Sequence, residues 1–277
     1  VRASRELSPG FAVAVEAILP AGALGEPHAR TSKGLFVPAR ELREASASSF
    51  RGRRVESGAL DFAFVATNAA RLREVPGARS RPLGEPLPRH ATVAVDDSRE
   101  VDGAVWHHVV GTGWGHSDDL RRPTRSPPPE EALPGERWID VDLAAQLLVA
   151  YEGTEPVFAT LVSTGRGAPG TETATPPGVH RIWVKLRSSD MTNLEVEDSR
   201  AHYSIEDVPW VMFFRDAYGL HGAFWHRSFG SRRSHGCVNL SPADAATLFQ
   251  FARPTLPDGW SAVLPTTTEP GTLVRVR

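Results

Sequence analysis

Glycine and proline occur 24 and 23 times in this 277-residue chain and are spread along its whole length. Glycine loses the most freedom when it is ordered, and proline lacks an N–H and clashes with the preceding helical turn. Long helices are therefore disfavoured, and short strands joined by turns are expected. The most apolar runs, residues 11–19 and 208–214, are strand-sized and fall well short of the roughly 18–20 residues a membrane-spanning helix needs. A mainly β protein is predicted. Apolar residues make up 40% of the chain, enough at this length for two or three domains. The clearest boundary lies in residues 121–137, "RRPTRSPPPEEALPGER", where three consecutive prolines cannot continue a sheet. A Pro-rich linker is expected over residues 123–136.

Ahead of that linker, "KGLFVPARELREA" and "TGWGHSDDLRRP" end alike and hint at a weak repeat. Residues 61–122 hold four or five short alternating runs, with Val101-Asp102-Gly103 as a hairpin signal. This stretch resembles a bacterial SH3-like barrel, which implies a small β-barrel over residues 61–122. Residues 1–60 are expected to be a small β-rich module or part of that barrel. His107, His108 and His116 lack a cysteine or paired carboxylate at ligand spacing and are read as exposed strand histidines. Beyond the linker, residues 137–277 form a second sheet domain with one helix. Its start is marked by Ser241 as N-cap, Pro242 at the first helical position and Asp244 three residues after the cap, with Ala245, Leu248, Phe249 and Ala252 on one stripe.

The net charge is −2 and no basic stripe is present, so nucleic-acid binding is not expected. Cys237 is the sole cysteine, lying in "RRSHGCVNLSP". A lone cysteine forms no intramolecular disulfide, which leaves the compartment open. Nucleophilic use of a cysteine requires a thiolate, and a free thiol with a pKa near 8.5 is only slightly ionised at neutral pH unless a partner such as histidine stabilises the anion. His221 ends a predicted strand sixteen residues earlier, and His235 precedes the cysteine by two. If the two segments pair in a sheet, His221 meets the sulfur as general base, while His235 either takes part directly or supports the loop. Gly236, lacking Cβ, can present its N–H beside that of Cys237 as an oxyanion hole.

The pattern His221-Gly222, then Ser234-His235-Gly236-Cys237-Val238-Asn239, resembles the signature of the L,D-transpeptidase catalytic domain, also called YkuD. Similarity extends over roughly 140 residues through "IDVDLAAQLLVAYEG", "LVSTGRG", "TATPPGVHRI" and "VPWVMFF…YGLHG". The resemblance implies a β-sandwich that acts on peptidoglycan stem peptides, donor and acceptor, through a cysteine acyl-enzyme. The product is a 3→3 cross-link that serves the cell wall and cell shape. It implies no cofactor and no metal, acylation by a carbapenem, and an extracytoplasmic place in the periplasm or cell envelope. The chain begins at Val1 without a methionine, which leaves an export signal or anchor open, and the place of action is expected from the implied substrate.

By the same resemblance Cys237 is the nucleophile and His221 the base, with the Gly222 carbonyl orienting the imidazole and Gly236 and Cys237 supplying oxyanion amides. Ser234, His235 and Asn239 complete the motif. Tyr203, ahead of Tyr218, is the candidate for an added oxyanion hydroxyl. Trp225, His226 and Phe229 form an aromatic run expected to line a groove. Arg233, with Arg181, Lys185 and Arg232, is weighed as a contact for acidic stem groups against plain solvated charge. Three other readings stay open: an L,D-carboxypeptidase or protein-to-wall attachment by the same acyl-enzyme, a zinc site from His221, His226, His235 and Cys237, and a non-catalytic wall-binding protein.

Overall fold

A computed structural model describes residues 10–22, 25–194 and 202–277. Twenty-one strands and one α-helix make it mainly β among those residues. Three short strands, β1 (Val15–Leu19), β2 (His28–Thr31) and β3 (Phe36–Pro38), form a small antiparallel sheet. Strand β4 (Arg53–Arg54) joins a different sheet further along the chain. Among the described residues before Asp61, β1–β3 form their own sheet, whereas β4 pairs with a strand of the second half of the chain and Phe50 lies in the core there.

Strands β5 (Phe62–Val65), β6 (Leu72–Arg73), β7 (Pro82–Leu83), β8 (Thr92–Val101), β9 (Ala104–Val109), β10 (Gly113–His116) and β11 (Leu120–Arg121) make a seven-stranded sheet ordered β11-β5-β8-β9-β10-β6-β7. The sheet is open, with β11 and β7 as its edges, so it does not close into the expected barrel. The β8–β9 hairpin turns on Asp102 and Gly103, both at positive φ, as an Asp-Gly pair favours. The two look-alike segments are not structural repeats, since one is in β3 and a short 3-10 turn and the other in β10 and β11.

Strands β12 (Arg137–Asp142), β13 (Leu147–Glu152) and β14 (Glu155–Leu161) follow as an antiparallel meander. They share a six-stranded sheet with β4, β15 (Gly178–Arg181) and the terminal strand that packs parallel to β12. Strands β16 (Val184–Thr192), β17 (Ser204–Arg215), β18 (Tyr218–Gly222) and β19 (Val238–Leu240) build the facing sheet. The helix α1 (Pro242–Phe251), β20 (Ala262–Val263) on the far edge of that sheet, and β21 (Leu273–Val276), the terminal strand, complete the chain.

Residue parity explains the layers. Along β12 and β13, Ile139, Val141, Leu148 and Ala150 face a core shared with Met212, Phe214, Leu220, Val238 and the buried face of α1. Trp138, Leu147, Val149 and Tyr151 point the other way, against Phe62, Phe64 and Phe50. The two sheets therefore form a sandwich, and β5 covers its outer face. Strand β5 is itself buried on both sides, because Ala63 and Val65 alternate into the interior of the seven-stranded sheet. The proline-rich stretch runs over the sandwich and does not hang free of it. Arg125 donates to the carbonyls of Gly58 and Thr154, and Ser126 N–H donates to the Tyr151 hydroxyl.

Helix α1 starts where its sequence pattern predicts. Ser241 Oγ accepts from Asp244 N–H at 3.2 Å, and Ala245, Leu248 and Phe249 are buried. Its C-terminal end is capped by Lys185, whose ammonium donates to the carbonyls of Phe249, Ala252 and Pro254 at 2.6, 2.6 and 2.7 Å. Lys185 is thus a buried structural cation, neither solvated nor substrate-facing. Arg181 is likewise committed, to Glu136 at 2.6 Å.

Candidate active site

Cys237 stands immediately before β19, and β19 pairs with β18 in parallel, Leu220 opposite Val238 and His221 opposite Asn239. Backbone bonds between Asn239 and Ser163, both at 2.9 Å, hold β19 from its other side. The strand end that delivers the sulfur is therefore fixed from two directions.

His221 is buried, and its Nδ1 lies 3.3 Å from the Gly222 carbonyl. Nδ1–H donates to that carbonyl, which leaves the Nε2 lone pair as the basic site. The Trp225 ring stacks on the imidazole with centroids 5.7 Å apart, so this half-buried tryptophan contacts His221. Cys237 is half-buried, with Sγ 3.7 Å from the Ala217 carbonyl.

Electrostatics make this pair neutral at rest. Burial pushes the Cys237 thiol up to about 11, opposed only by the Gly219 backbone, which favours the anion. Burial pulls His221 down to about 4 against the Gly222 carbonyl. At pH 7 only roughly one sulfur in ten thousand is then ionised. Burial disfavours both the thiolate and the imidazolium, which favours a thiol beside a neutral imidazole over the thiolate expected from the sequence.

The loop around Cys237 is built by short polar contacts. Ser234 Oγ donates to the Cys237 carbonyl at 2.5 Å and accepts from Gly236 N–H at 3.0 Å. The Gly236 N–H is thus engaged inside the loop, contrary to its expected place in an oxyanion hole. Glycine is needed there for another reason: φ is +128°, and a Cβ would come 2.4 Å from a Tyr218 ring carbon. Tyr218 donates its hydroxyl to the Glu172 carbonyl. Thr175 completes the cradle, accepting from Gly165 N–H at 2.8 Å and donating to the Gly236 carbonyl at 2.7 Å.

Tyr203 stacks on His235 with ring centroids 4.9 Å apart. Burial raises its phenol pKa, with a smaller raising contribution from the Cys237 sulfur. His235 is half-buried and its Nε2 meets the Arg166 guanidinium. Burial and that guanidinium hold its pKa below the ordinary histidine range. Arg233 is exposed beside the site, and Arg232 donates to the Leu143 carbonyl.

Two members of the aromatic run turn inward. Phe229 is fully buried in the core under β5, so it does not line a groove. His226 is buried, its Nδ1 accepting from Ser228 N–H and its Nε2 lying 2.9 Å from the Asn239 carboxamide. The four residues weighed as zinc ligands are thus committed to separate partners, and no group of three or more metal-binding side chains gathers among the described residues. Of the upstream histidines, His107 is buried and bonded to Ser98 at 2.8 Å, which overturns its reading as exposed.

Arg166, Thr175 and the loop role of Tyr218 were not singled out for this site from the sequence. "STGRG" and "TATPPG" are polar stretches whose partners lie some 60 to 70 residues away, as the separations of 69 and 61 residues for the Arg166 and Thr175 contacts show.

No curated protein matches the chain. Among solved structures it is similar to an L,D-transpeptidase from Stackebrandtia nassauensis, 26% identical over 53% of this chain, with a TM-score of 0.36. The chain spans 58% of that protein. It is similar to the ertapenem-acylated catalytic domain of an E. faecium L,D-transpeptidase, at 23% identity over 53% of this chain and 100% of that one, TM-score 0.39. An L,D-transpeptidase from Mycobacterium smegmatis matches over 98% of this chain and 96% of its own at 16% identity, TM-score 0.40. The family model of the L,D-transpeptidase catalytic domain, YkuD, matches residues 136–276, half of the chain, and on that match the chain belongs to the L,D-transpeptidase catalytic-domain family.

Proposed function

We propose that the chain is a peptidoglycan L,D-transpeptidase that works through a Cys237 acyl-enzyme. The observation that carries the reading is the parallel register of β18 and β19, which sets His221, its Nδ1 tied to Gly222, on the strand beside the one that Cys237 immediately precedes. In the first half-reaction the sulfur attacks the carbonyl of the third residue of a donor stem as the S–H proton passes to His221 Nε2. The tetrahedral intermediate then expels the terminal D-alanine, whose amine takes the proton back from His221. The side-chain amine of an acceptor stem resolves the thioester in the reverse sense, giving a 3→3 cross-link and restoring the thiol.

A neutral pair suits this sequence, since proton transfer and attack proceed together without a standing thiolate. With the Gly236 N–H occupied, the Tyr203 hydroxyl and the Cys237 N–H are the oxyanion donors in this proposal. Removing such a donor typically costs about 3 kcal/mol of transition-state stabilisation. His235 supports the loop and stacks on Tyr203, and Asn239 and Trp225 hold the neighbourhood of His221. Ser234 shapes the nucleophile loop, and exposed Arg233 is available to acidic stem groups.

The domain assignment is part of the proposal: a catalytic unit over residues 137–277, an SH3-like unit over 61–122 that positions the enzyme on the wall, and residues 123–136 as the connection. The place of action is the periplasm or cell envelope. Among the described residues no helix is long and apolar enough to cross a membrane.

The test is incubation with a tetrapeptide-stem muropeptide, followed by mass analysis. Cross-linked dimer is expected, and tripeptide monomer alone reads as a carboxypeptidase. Ertapenem should add one adduct to the intact protein and none to Cys237→Ala. His221→Ala is expected to slow acylation more than His235→Ala does, and equal rates overturn that division of roles.

A further inference from the structure

Strand β17 begins one residue after Tyr203, and its first residues are only half covered by their own sheet. Strand β16 pairs along one side as far as Ser204, whereas β18 reaches only from Met212 to Arg215 on the other. An open strand edge offers unpaired N–H and C=O groups to any extended segment. Here the N-terminal segment takes it. Ala12 N–H donates to the Ser204 carbonyl at 2.9 Å, and Glu206 N–H donates to the Ala12 carbonyl at 3.0 Å, in a parallel bridge centred on Ile205.

Side chains reinforce the bridge. The Glu206 carboxylate, itself 94% buried by its 6% exposure, accepts from Ala14 N–H at 2.9 Å. Lys33, from the turn between β2 and β3, places its ammonium 3.3 Å from Glu206 and 2.5 Å from Asp190. Asp190 in turn accepts from Asp207 N–H at 3.0 Å, where a non-glycine residue sits at φ +50°. One ammonium thus neutralises two carboxylates, of which Asp190 holds a β17 residue at positive φ. Ala12 also packs in the apolar cluster that contains Tyr203, Ile205 and Trp225.

We propose that Ala12, Ala14 and Lys33 form a clamp on the start of β17 that positions Tyr203 for its oxyanion role, with Lys33 and Glu206 as positioning residues for acylation. The proposal rests on the reading of Tyr203 as an oxyanion donor. Tyr203 itself is pinned by Asn193, whose side chain accepts from Tyr203 N–H, and by the His235 ring. The clamp fixes the residues that follow it. A small error in donor position is enough to weaken an oxyanion hole, because the donor must meet the oxygen at hydrogen-bond distance.

The experiment uses the full chain and the second-order rate of acylation by ertapenem, read by intact mass. Ala12→Pro removes the N–H given to Ser204, and Lys33→Met leaves the backbone intact while deleting the bridging charge. Each is expected to slow acylation about tenfold with the melting temperature of the sandwich little changed. Adding Glu206→Gln to Lys33→Met should recover part of the rate, since the amide still accepts from Ala14 and no longer repels Asp190. In a Tyr203→Phe background neither clamp variant should slow the reaction further. Wild-type rates for both clamp variants, with Tyr203→Phe slow, overturn the clamp alone, as does an equal slowing in both backgrounds. A wild-type rate for Tyr203→Phe overturns the oxyanion reading and the clamp's purpose with it.

Discussion

The Asn239 carboxamide and the His226 imidazole meet at 2.9 Å, on the strand position directly opposite His221. His226 Nδ1 already accepts from Ser228 N–H, so the neutral ring carries its proton on Nε2, and the carboxamide, placed with its nitrogen toward the ring and its oxygen unpartnered among the described residues, must turn over to accept that proton. Burial holds His226 neutral, down to about 4, which keeps this tautomer through the physiological range.

Breaking that contact should be expensive for folding. Asn239→Leu and His226→Phe are each expected to destabilise by about 1–3 kcal/mol, and the double variant by less than their sum. Urea unfolding measures both, and nitrogen NMR of the histidine ring should find the His226 proton on Nε2. A proton on Nδ1 contradicts the assignment.

The pH dependence of acylation follows from the neutral pair. With His221 near 4 and Cys237 near 11, neither group changes protonation between about pH 5.5 and 8.5. The ertapenem acylation rate should be flat across that window. A bell with limbs at pH 6–8 indicates a titrating ion pair in place of a thiol and a neutral imidazole.

Much of this was legible in the sequence for physical reasons that can be named. Ser241, Pro242 and Asp244 specify the start of α1 locally, and the Asp102-Gly103 pair specifies its hairpin, so both read straight from neighbouring residues. The pairing of the His221 and Cys237 segments was legible because sixteen residues and a motif constrain it. What escaped were contacts across large separations. The Lys185 cap depends on carbonyls 64 to 69 residues away, and the role of Ala12 depends on a strand end nearly two hundred residues later. No local pattern encodes either. The Gly236 amide was misassigned because Ser234 Oγ competes for it within the same loop, a competition that residue types alone do not rank.

Acid should weaken the fold before carboxylates dominate. His107, His221 and His226 are each held near 4 by burial, against about 6.5 when unfolded. Their folded pKa values are depressed, so between pH 6.5 and 4 the unfolded chain binds more protons and stability falls as pH falls; above 6.5 their contribution is complete. Asp244 acts in the opposite sense, because burial raises its carboxyl. From pH 7.5 to pH 5 the three rings together are expected to lower the unfolding free energy by about 6 kcal/mol, about 2 for each, with Asp244 offsetting part of it. An unchanged value shows that these rings are not buried neutral.

Replacing Gly236 should injure the nucleophile loop through Tyr218. In Gly236→Ala the new methyl meets the Tyr218 ring at 2.4 Å and the backbone stays at φ +128°. The strain amounts to about 1–3 kcal/mol, and acylation should slow at least tenfold as Cys237 shifts. Tyr218→Ala in the same background opens the space but leaves the backbone penalty, so only part of the rate should return. Full recovery assigns the whole effect to the steric clash, and no recovery assigns it to φ.

Lys185 separates stability from chemistry. Burial brings its pKa down to about 8, which still leaves an ammonium at neutral pH, aimed at three carbonyls at the end of α1 where a cation also opposes the helix dipole. Lys185→Met keeps the chain length of the side chain and removes the charge and its donors. The three carbonyls then lose their partner in a dry environment, which should destabilise by about 2–4 kcal/mol. Helix α1 packs on β18 and β19 away from the sulfur, so ertapenem acylation measured well below the melting temperature should stay within about twofold of wild type. A large rate loss in a folded Lys185→Met protein instead means that the end of α1 transmits to the His221 strand.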